Sequence, residues 1–361
     1  MRTACGGYRG VVLSAPVGLP QDVLVSALGS GWRIAIASMT YRAVGFGSHH
    51  WEVIDAAGTR WFVTADELAT KRYSLGESLD SAFDRLCASL AAARDLADCG
   101  RTFVVAPLPA DDGAPLVRAN DQFGVAVYPF IKGHSFEWGE FSTPAHRCGT
   151  LDLIVAIHTA PAAASRHAMT DGFGIPHRDE LEVAIGSVDA VDRADAVGRA
   201  DTGTVGTVSR AEDCGPYARP MALLLRENAE PVRRLLARYD ELAALGRSQP
   251  ARQVLTHGEP HPGNTMLTSA GWRLIDWDTV LVAPPERDLW SLDPGDGSVL
   301  RRYAEATGVT PLPSMLELHR IRWDLADLAV DVSRFRRQHT GSLDDDQSWN
   351  LLRSMVARIS G

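Results

Sequence analysis

The stretch Leu255-Thr256-His257-Gly258-Glu259-Pro260-His261-Pro262-Gly263-Asn264, followed by Leu274-Ile275-Asp276-Trp277-Asp278, constrains this chain more than any other. It reads as a polar loop, a short apolar strand, a turn at Ser269-Ala270-Gly271, a second apolar strand and an acidic end. Closing that hairpin would bring Glu259, Asn264 and Asp276 to one mouth. Phosphoryl transfer needs a set of this kind. One carboxylate orients the attacking hydroxyl, while an amide oxygen and a second carboxylate hold Mg²⁺ against nucleotide phosphates.

The chain ahead of the hairpin reads first as strands. Ile34 to Tyr41 is apolar and β-branched, and Trp51-Glu52-Val53-Ile54-Asp55 alternates. A turn at Ala56-Ala57-Gly58-Thr59 then leads into Arg60-Trp61-Phe62-Val63-Thr64. Glu77 to about Ala97 has helical spacing of Leu79, Phe83, Leu86, Leu90 and Leu96. Phe103-Val104-Val105 and Phe123 to Tyr128 read as further strands, and Pro129-Phe130-Ile131-Lys132-Gly133 as a connector. The remainder is mainly helical. A helix starts at Ser142-Thr143-Pro144, another runs from Met221 to Leu245, and others cover Val299–Ala306, Leu316–Val332 and Trp349–Ile359. Residues 186–216 are rich in Asp, Ala, Gly, Arg and Thr with few large apolar side chains, the composition of a flexible insertion.

The hairpin motif resembles the aminoglycoside phosphotransferase-like kinases, which share their fold with choline kinase-like enzymes. Their loop reads His-Gly-Asp, four residues, Asn, and their metal segment reads Ile-Asp-Trp-Asp/Glu. The run Pro284-Pro285-Glu286-Arg287-Asp288-Leu289-Trp290 is most similar to the spectinomycin phosphotransferase branch. The resemblance covers about residues 40–330, with its specific part between His257 and Asp288. It implies an α+β, bilobal protein-kinase-like fold. Residues 1–130 would form a small β-rich N-lobe and residues 131–361 a larger, mainly helical C-lobe carrying the catalytic hairpin at 255–288.

The resemblance also implies roles. Glu259 would orient a substrate hydroxyl, and Asn264 and Asp276 would hold Mg²⁺. Backbone groups of Gly45, Gly47 and Ser48 would cover the phosphates of ATP, although a plain hairpin turn explains the same glycines. Phe130 and Ile131 would face the adenine edge. His257 and Asp288 would brace the loop. Asp278 could serve the metal, a substrate amine or a core hydrogen bond, and Glu286 and Trp290 are substrate-contact candidates. Such an enzyme phosphorylates a hydroxyl of a small polar molecule: an aminoglycoside or aminocyclitol, a sugar or an amino alcohol.

Two departures stand out. The catalytic aspartate of the family is Glu259 here, chemically able to accept a proton but one methylene longer. A misplacement of about 1 Å can cost roughly 100-fold in rate. The third strand lacks the usual phosphate-anchoring lysine, with Thr64 in its slot, so Lys71, Arg60 or Arg72 would have to supply the charge. Both departures keep open a catalytically impaired kinase-fold protein that binds a ligand or partner. His257, Glu259 and His261 with Asp276 and Asp278 also permit a transition-metal hydrolase, but the prolines and glycines between them favour a loop.

Bulk properties agree with a soluble two-lobed enzyme. The chain has 361 residues, 45% hydrophobic and 22% charged, with formal net charge −9. That sign disfavours nucleic acid and anionic membranes as partners. The expected partner is a small molecule, and the oligomeric state is open. The N-terminus lacks an apolar signal core, no apolar run reaches a membrane span, and five scattered cysteines suit reduced thiols, so a cytoplasmic location is expected.

Overall fold

The computed structural model describes residues 14–45, 47–186, 214–249 and 252–361. Helix α1 (Gln21–Trp32) leads into a five-stranded antiparallel sheet, ordered β1-β2-β3-β5-β4. The strands are β1 (Ile36–Arg42), β2 (His49–Asp55), β3 (Arg60–Glu67), β4 (Val117–Arg118) and β5 (Phe123–Pro129). Val53, Val63, Val125 and Val127 are fully buried and point from successive strands into one core with Leu24 and Leu28 of α1. Period-two burial along β3 sends Thr64 and Asp66 to the other face, toward the cleft.

Helix α2 (Leu79–Asp98) is capped by Ser78, whose hydroxyl accepts from the Ser81 N–H at 3.0 Å. Its apolar stripe of Leu86, Leu90, Ala93 and Leu96 packs in one core with Leu151, Leu274, Trp277 and Leu289. The sheet region and the helical region are thus joined by a shared apolar core beneath the 255–288 segment. Ser89 adds a bond to the Val280 carbonyl at 3.2 Å.

After β5 come the short β6 (His134–Ser135) and α3 (Pro144–His158), with Thr143 as cap and proline in its first turn. The helices that follow are α4 (Ala218–Glu227) and α5 (Ala229–Arg247). The expected single helix from Met221 to Leu245 is in fact broken at Asn228 (φ −121°, ψ 17°). Pro231 has no N–H to offer the Glu227 carbonyl, so the second helix restarts with proline in its first turn. The hairpin region follows: β7 (Val254–Thr256), β8 (Thr265–Thr268), β9 (Gly271–Leu274) and β10 (Leu281–Ala283). β8 and β9 pair with each other, and β10 pairs with β7. Phe103–Val105, expected as a strand, makes only an isolated bridge from Val104 to Leu274.

The chain closes with α6 (Glu286–Leu292), α7 (Ser298–Thr307), α8 (Pro313–Phe335) and α9 (Leu343–Ser360). Helices α4, α5, α8 and α9 enclose a third core around Tyr239, Leu325, Leu328 and Phe335. The insertion expected at 186–216 lies, apart from its edges, outside the described residues. Among the described residues, no helix is long and apolar enough to cross a membrane.

Candidate active site

The β8–β9 hairpin pairs Thr265 with Leu274, and the Ile275 N–H donates to the Asn264 carbonyl at 2.9 Å. That register sets Asn264 beside Asp276. The Asn264 side-chain nitrogen donates to the Glu259 carbonyl at 2.9 Å and lies 3.2 Å from His261 Nε2. With its nitrogen committed to the loop, the amide oxygen is the atom left to ligate. Asp276 has φ +65°, a backbone state that few non-glycine residues adopt and that clusters at functional sites. No hydrogen bond or ion pair from the described residues reaches its carboxylate. Asp276 is exposed at the cleft, yet the surrounding protein, then Asp278 and Glu259, raise its pKa above the usual carboxylate value. Uncompensated negative charge beside a free amide oxygen fits a hard divalent cation. Among the described residues, no three His, Cys, Asp or Glu side chains form a metal-holding group by themselves, so Mg²⁺ here would need further oxygens, as phosphates supply.

The loop is braced from below. Asp288 is fully buried and accepts the His257 N–H at 2.8 Å and the Gly258 N–H at 2.5 Å. Its Oδ2 also meets His158 Nε2 at 3.0 Å, and the other nitrogen of that ring meets the Tyr303 hydroxyl at 2.9 Å. Burial pushes the Asp288 pKa up, but the His158 hydrogen bond and nearby positive charge outweigh it and hold the group ionised, below its ordinary value. His257 is buried, which lowers its pKa. Its Nε2 must donate to the Ile275 carbonyl at 3.0 Å, and its Nδ1 accepts the Glu259 N–H at 3.2 Å. Those two bonds select one neutral tautomer.

On the other wall, Lys71 reaches the cleft. Its Nζ is 2.9 Å from Asp66 and 2.7 Å from Asp278, and 3.5 Å from Ser48 Oγ. Ser48 itself donates to Asp66 at 2.5 Å. Burial alone would lower the Lys71 pKa, but Asp278 and Asp66 raise it well above the ordinary value. Gly45 and Gly47 both have φ +71°, and a Cβ on Gly47 would lie 3.9 Å from the Lys71 ammonium. The glycine turn therefore sits over Lys71. Arg60 instead binds Glu52 and lies 3.8 Å over the Phe130 ring, while Arg72 bonds local carbonyls. Asp278 thus ties the helical region to the sheet region through Lys71.

One expected substrate contact is corrected. Glu286 is completely buried; one oxygen takes Arg252 at 2.6 Å and the Leu312 N–H at 2.7 Å, so it fastens α6 to α8 and cannot meet a substrate. Trp290 is half-buried against the core beneath the hairpin, with its ring 5.6 Å from that of Trp323, and its exposed part leaves the substrate-contact expectation standing. Phe130 and Ile131 follow β5 directly and are half-buried. Missing from the expectation were Asp66, Tyr128 and Arg287. Tyr128 faces the same carboxylates, and burial, then Asp66, push its phenol well up. Asp66 carries a sequence signal, since it lies on the Thr64 face of β3, whereas Arg287 donates to Thr256, 31 positions earlier, and to the Thr279 carbonyl, and carries none.

The Phosphotransferase enzyme family model matches residues 50–323. The chain belongs to this family. Protein StrN of Streptomyces griseus is 31% identical to this phosphotransferase over 264 residues, 71% of this chain and 72% of that protein. Spectinomycin phosphotransferase APH(9)-Ia, solved with ADP and spectinomycin, superposes with TM-score 0.64 at 16% identity, covering 94% of this chain and 97% of that one. The amicoumacin kinase hAmiN, solved with AMP-PNP, Ca²⁺ and Ami, gives TM-score 0.52 at 13% identity over 94% of this chain and 93% of that one. These structural likenesses establish the fold that the phosphotransferase shares with kinase-like enzymes: a β-sheet N-terminal region and a helical C-terminal region.

Proposed function

We propose that this phosphotransferase moves the γ-phosphoryl group of ATP to a hydroxyl of a small polar acceptor, an aminoglycoside or aminocyclitol, a sugar or an amino alcohol. The observation that carries this reading is the meeting of Glu259, Asn264, Asp276 and Lys71 around one cleft. The acceptor hydroxyl attacks the γ-phosphorus as the bond to the β–γ bridging oxygen breaks, and ADP leaves. The Glu259 carboxylate orients that hydroxyl and takes its proton; with a loose transition state, orientation matters more than basicity. Asn264 and Asp276 would hold Mg²⁺, which supplies charge neutralisation to the phosphate oxygens. Lys71 exchanges part of its contact with Asp66 and Asp278 for phosphate oxygens, under the Gly45–Ser48 turn. Phe130 and Ile131 present backbone groups to the base. Structural neighbours solved with ADP and spectinomycin, or with AMP-PNP, Ca²⁺ and Ami, support a nucleotide and a small molecule as occupants of this fold.

A binding protein without turnover is the second reading, favoured by the double ion pair that already occupies Lys71. ADP release from MgATP, measured across a panel of aminocyclitols, sugars and amino alcohols, separates the two. Substrate-dependent release that is lost in Asp276→Ala is the expected result. No release with any acceptor, together with MgATP binding by calorimetry, would select the second reading. Equal turnover in Asp276→Ala removes the metal assignment.

A further inference from the structure

Arg287 lies buried directly under the loop that carries Glu259. Its guanidinium divides between two segments of chain. Nη1 donates to Thr256 Oγ1 at 2.9 Å and Nη2 to the Thr279 carbonyl at 2.7 Å. Thr256 passes its hydroxyl on to the Leu281 carbonyl, and Thr279 passes its own to the His257 carbonyl, each at 2.8 Å. One fork thus pins the entry to the catalytic loop and the segment just past Asp278.

The guanidinium also fills the place where residue 258 has no side chain. A Cβ on Gly258 would lie 2.5 Å from Nη1 and 2.6 Å from Cζ of Arg287. Gly258 has φ +102°, so both its backbone state and its lack of a Cβ are needed there. Glu259 is the next residue. Its N–H is held by His257 Nδ1, and its carbonyl accepts from Asn264 Nδ2 and from the His261 N–H at 2.8 Å. A shift at Gly258 therefore reaches both the orienting carboxylate and Asn264. An apolar side chain would fill the same volume without desolvating a charge, so what burial of this arginine secures is the two-armed geometry. Burial and then the neighbouring Arg322 charge lower its pKa, against the smaller opposing pull of Asp171 and Asp288.

We propose that Arg287 is a positioning residue for phosphoryl transfer, the wedge beneath Gly258 that sets where the Glu259 carboxylate meets the acceptor hydroxyl. Arg287 has this role only if Glu259 orients the acceptor, as proposed above. The test compares full-length wild type with Arg287→Lys, Arg287→Gln, Gly258→Ala and the Gly258→Ala/Arg287→Gln double variant. Three quantities are measured: kcat for ADP release at saturating acceptor, MgATP Kd by calorimetry, and peptide-resolved hydrogen exchange. Arg287→Lys and Gly258→Ala should each lower kcat about 10- to 100-fold while Kd stays within about twofold. Amides of 257–264 should exchange faster, with those of β2 and β3 unchanged. The double variant should lose much less than the product of the single losses, because both changes break one contact. Unchanged kcat per folded molecule in Arg287→Lys, or a parallel loss of kcat, Kd and global protection, would overturn the role. A wild type that releases no ADP with any acceptor defeats the kinase reading and the catalytic role together. Unaltered exchange in the loop of Arg287→Lys defeats the wedge alone, whatever the activity.

Discussion

The loop His257–Asn264 is held from inside a closed core, by backbone N–H groups on Asp288, a neutral His257 and the Arg287 fork. Lys71, across the cleft, is held at the solvent edge by two carboxylates, with 18% of its side chain exposed. The first arrangement fixes backbone and tolerates little change. The second fixes one flexible side chain by charge, and can be redrawn with another cation from another position. The difference fits the expectation from sequence, in which the loop carries the recognisable motif and the third strand carries Thr64 in place of a lysine. It also predicts that damage to the two halves shows up in different measurements.

The largest effect should come from Asp288→Ala. The change leaves the His257 and Gly258 N–H groups without acceptors and His158 without its partner, all in the core. Breaking a buried, hydrogen-bonded charge in this way costs about 3–5 kcal/mol. Urea unfolding should show that loss, and ADP release should vanish with it. A variant of wild-type stability would mean that the brace is not what holds the loop, and the contrast would collapse.

Lys71→Met should behave in the opposite manner: a folded protein with weak nucleotide binding. A charge-assisted contact of about 1.5–3 kcal/mol corresponds to a roughly 10- to 100-fold rise in MgATP Kd. The sharper experiment adds Thr64→Lys to Lys71→Met. Thr64 lies on the cleft face of β3 opposite His50 and Ala126, two residues before Asp66. A lysine there can meet Asp66 from the position the family ordinarily uses. Recovery of most of the lost affinity, read by calorimetry, would show that the cation matters and its backbone origin does not. No recovery would mean that Lys71 acts through its particular tie to Asp278.

The same contrast governs what could be read before folding. Glu259, Asn264 and Asp276 lie within 18 positions, and the short Ser269–Gly271 turn leaves one way to close the hairpin. Spacing alone therefore brought them together. Lys71 and Asp278 are 207 positions apart, and nothing local to either marks the pairing. Glu286 was misjudged because its run matches a functional motif, while its direction depends on α8, which supplies the Leu312 N–H. Strand β2 was legible from alternation, β3 from the turn at Ala56–Thr59 that leads into it, and β5 from its apolar run. The break at Asn228 was not, because leucine periodicity runs straight across it and only Pro231 marks the interruption. Arg287 escaped notice since its function lies in the missing side chain of Gly258, which no pattern of apolar residues records.

The smallest expected effects lie at the two ends of the pH scale, and they separate the halves most cleanly. The folded-state pKa of Asp288 is depressed, so its contribution is present above the unfolded value of about 3.9 and is lost as pH falls through the folded value. The Lys71 pKa is raised, so its contribution is complete below the unfolded value of about 10.4 and is lost as pH rises through the folded one. Asp288→Asn should accordingly flatten the acid limb of stability below about pH 4 and leave the alkaline limb unchanged. Lys71→Met should flatten the limb above about pH 10 and leave the acid limb unchanged. Chemical denaturation of the three proteins from acid to alkali measures both. If Asp288→Asn left the acid limb as steep as wild type, carboxylates elsewhere, such as Asp171 paired with Arg322 at 2.5 Å, would govern acid unfolding. The loop brace would then contribute geometry without pH-linked stability.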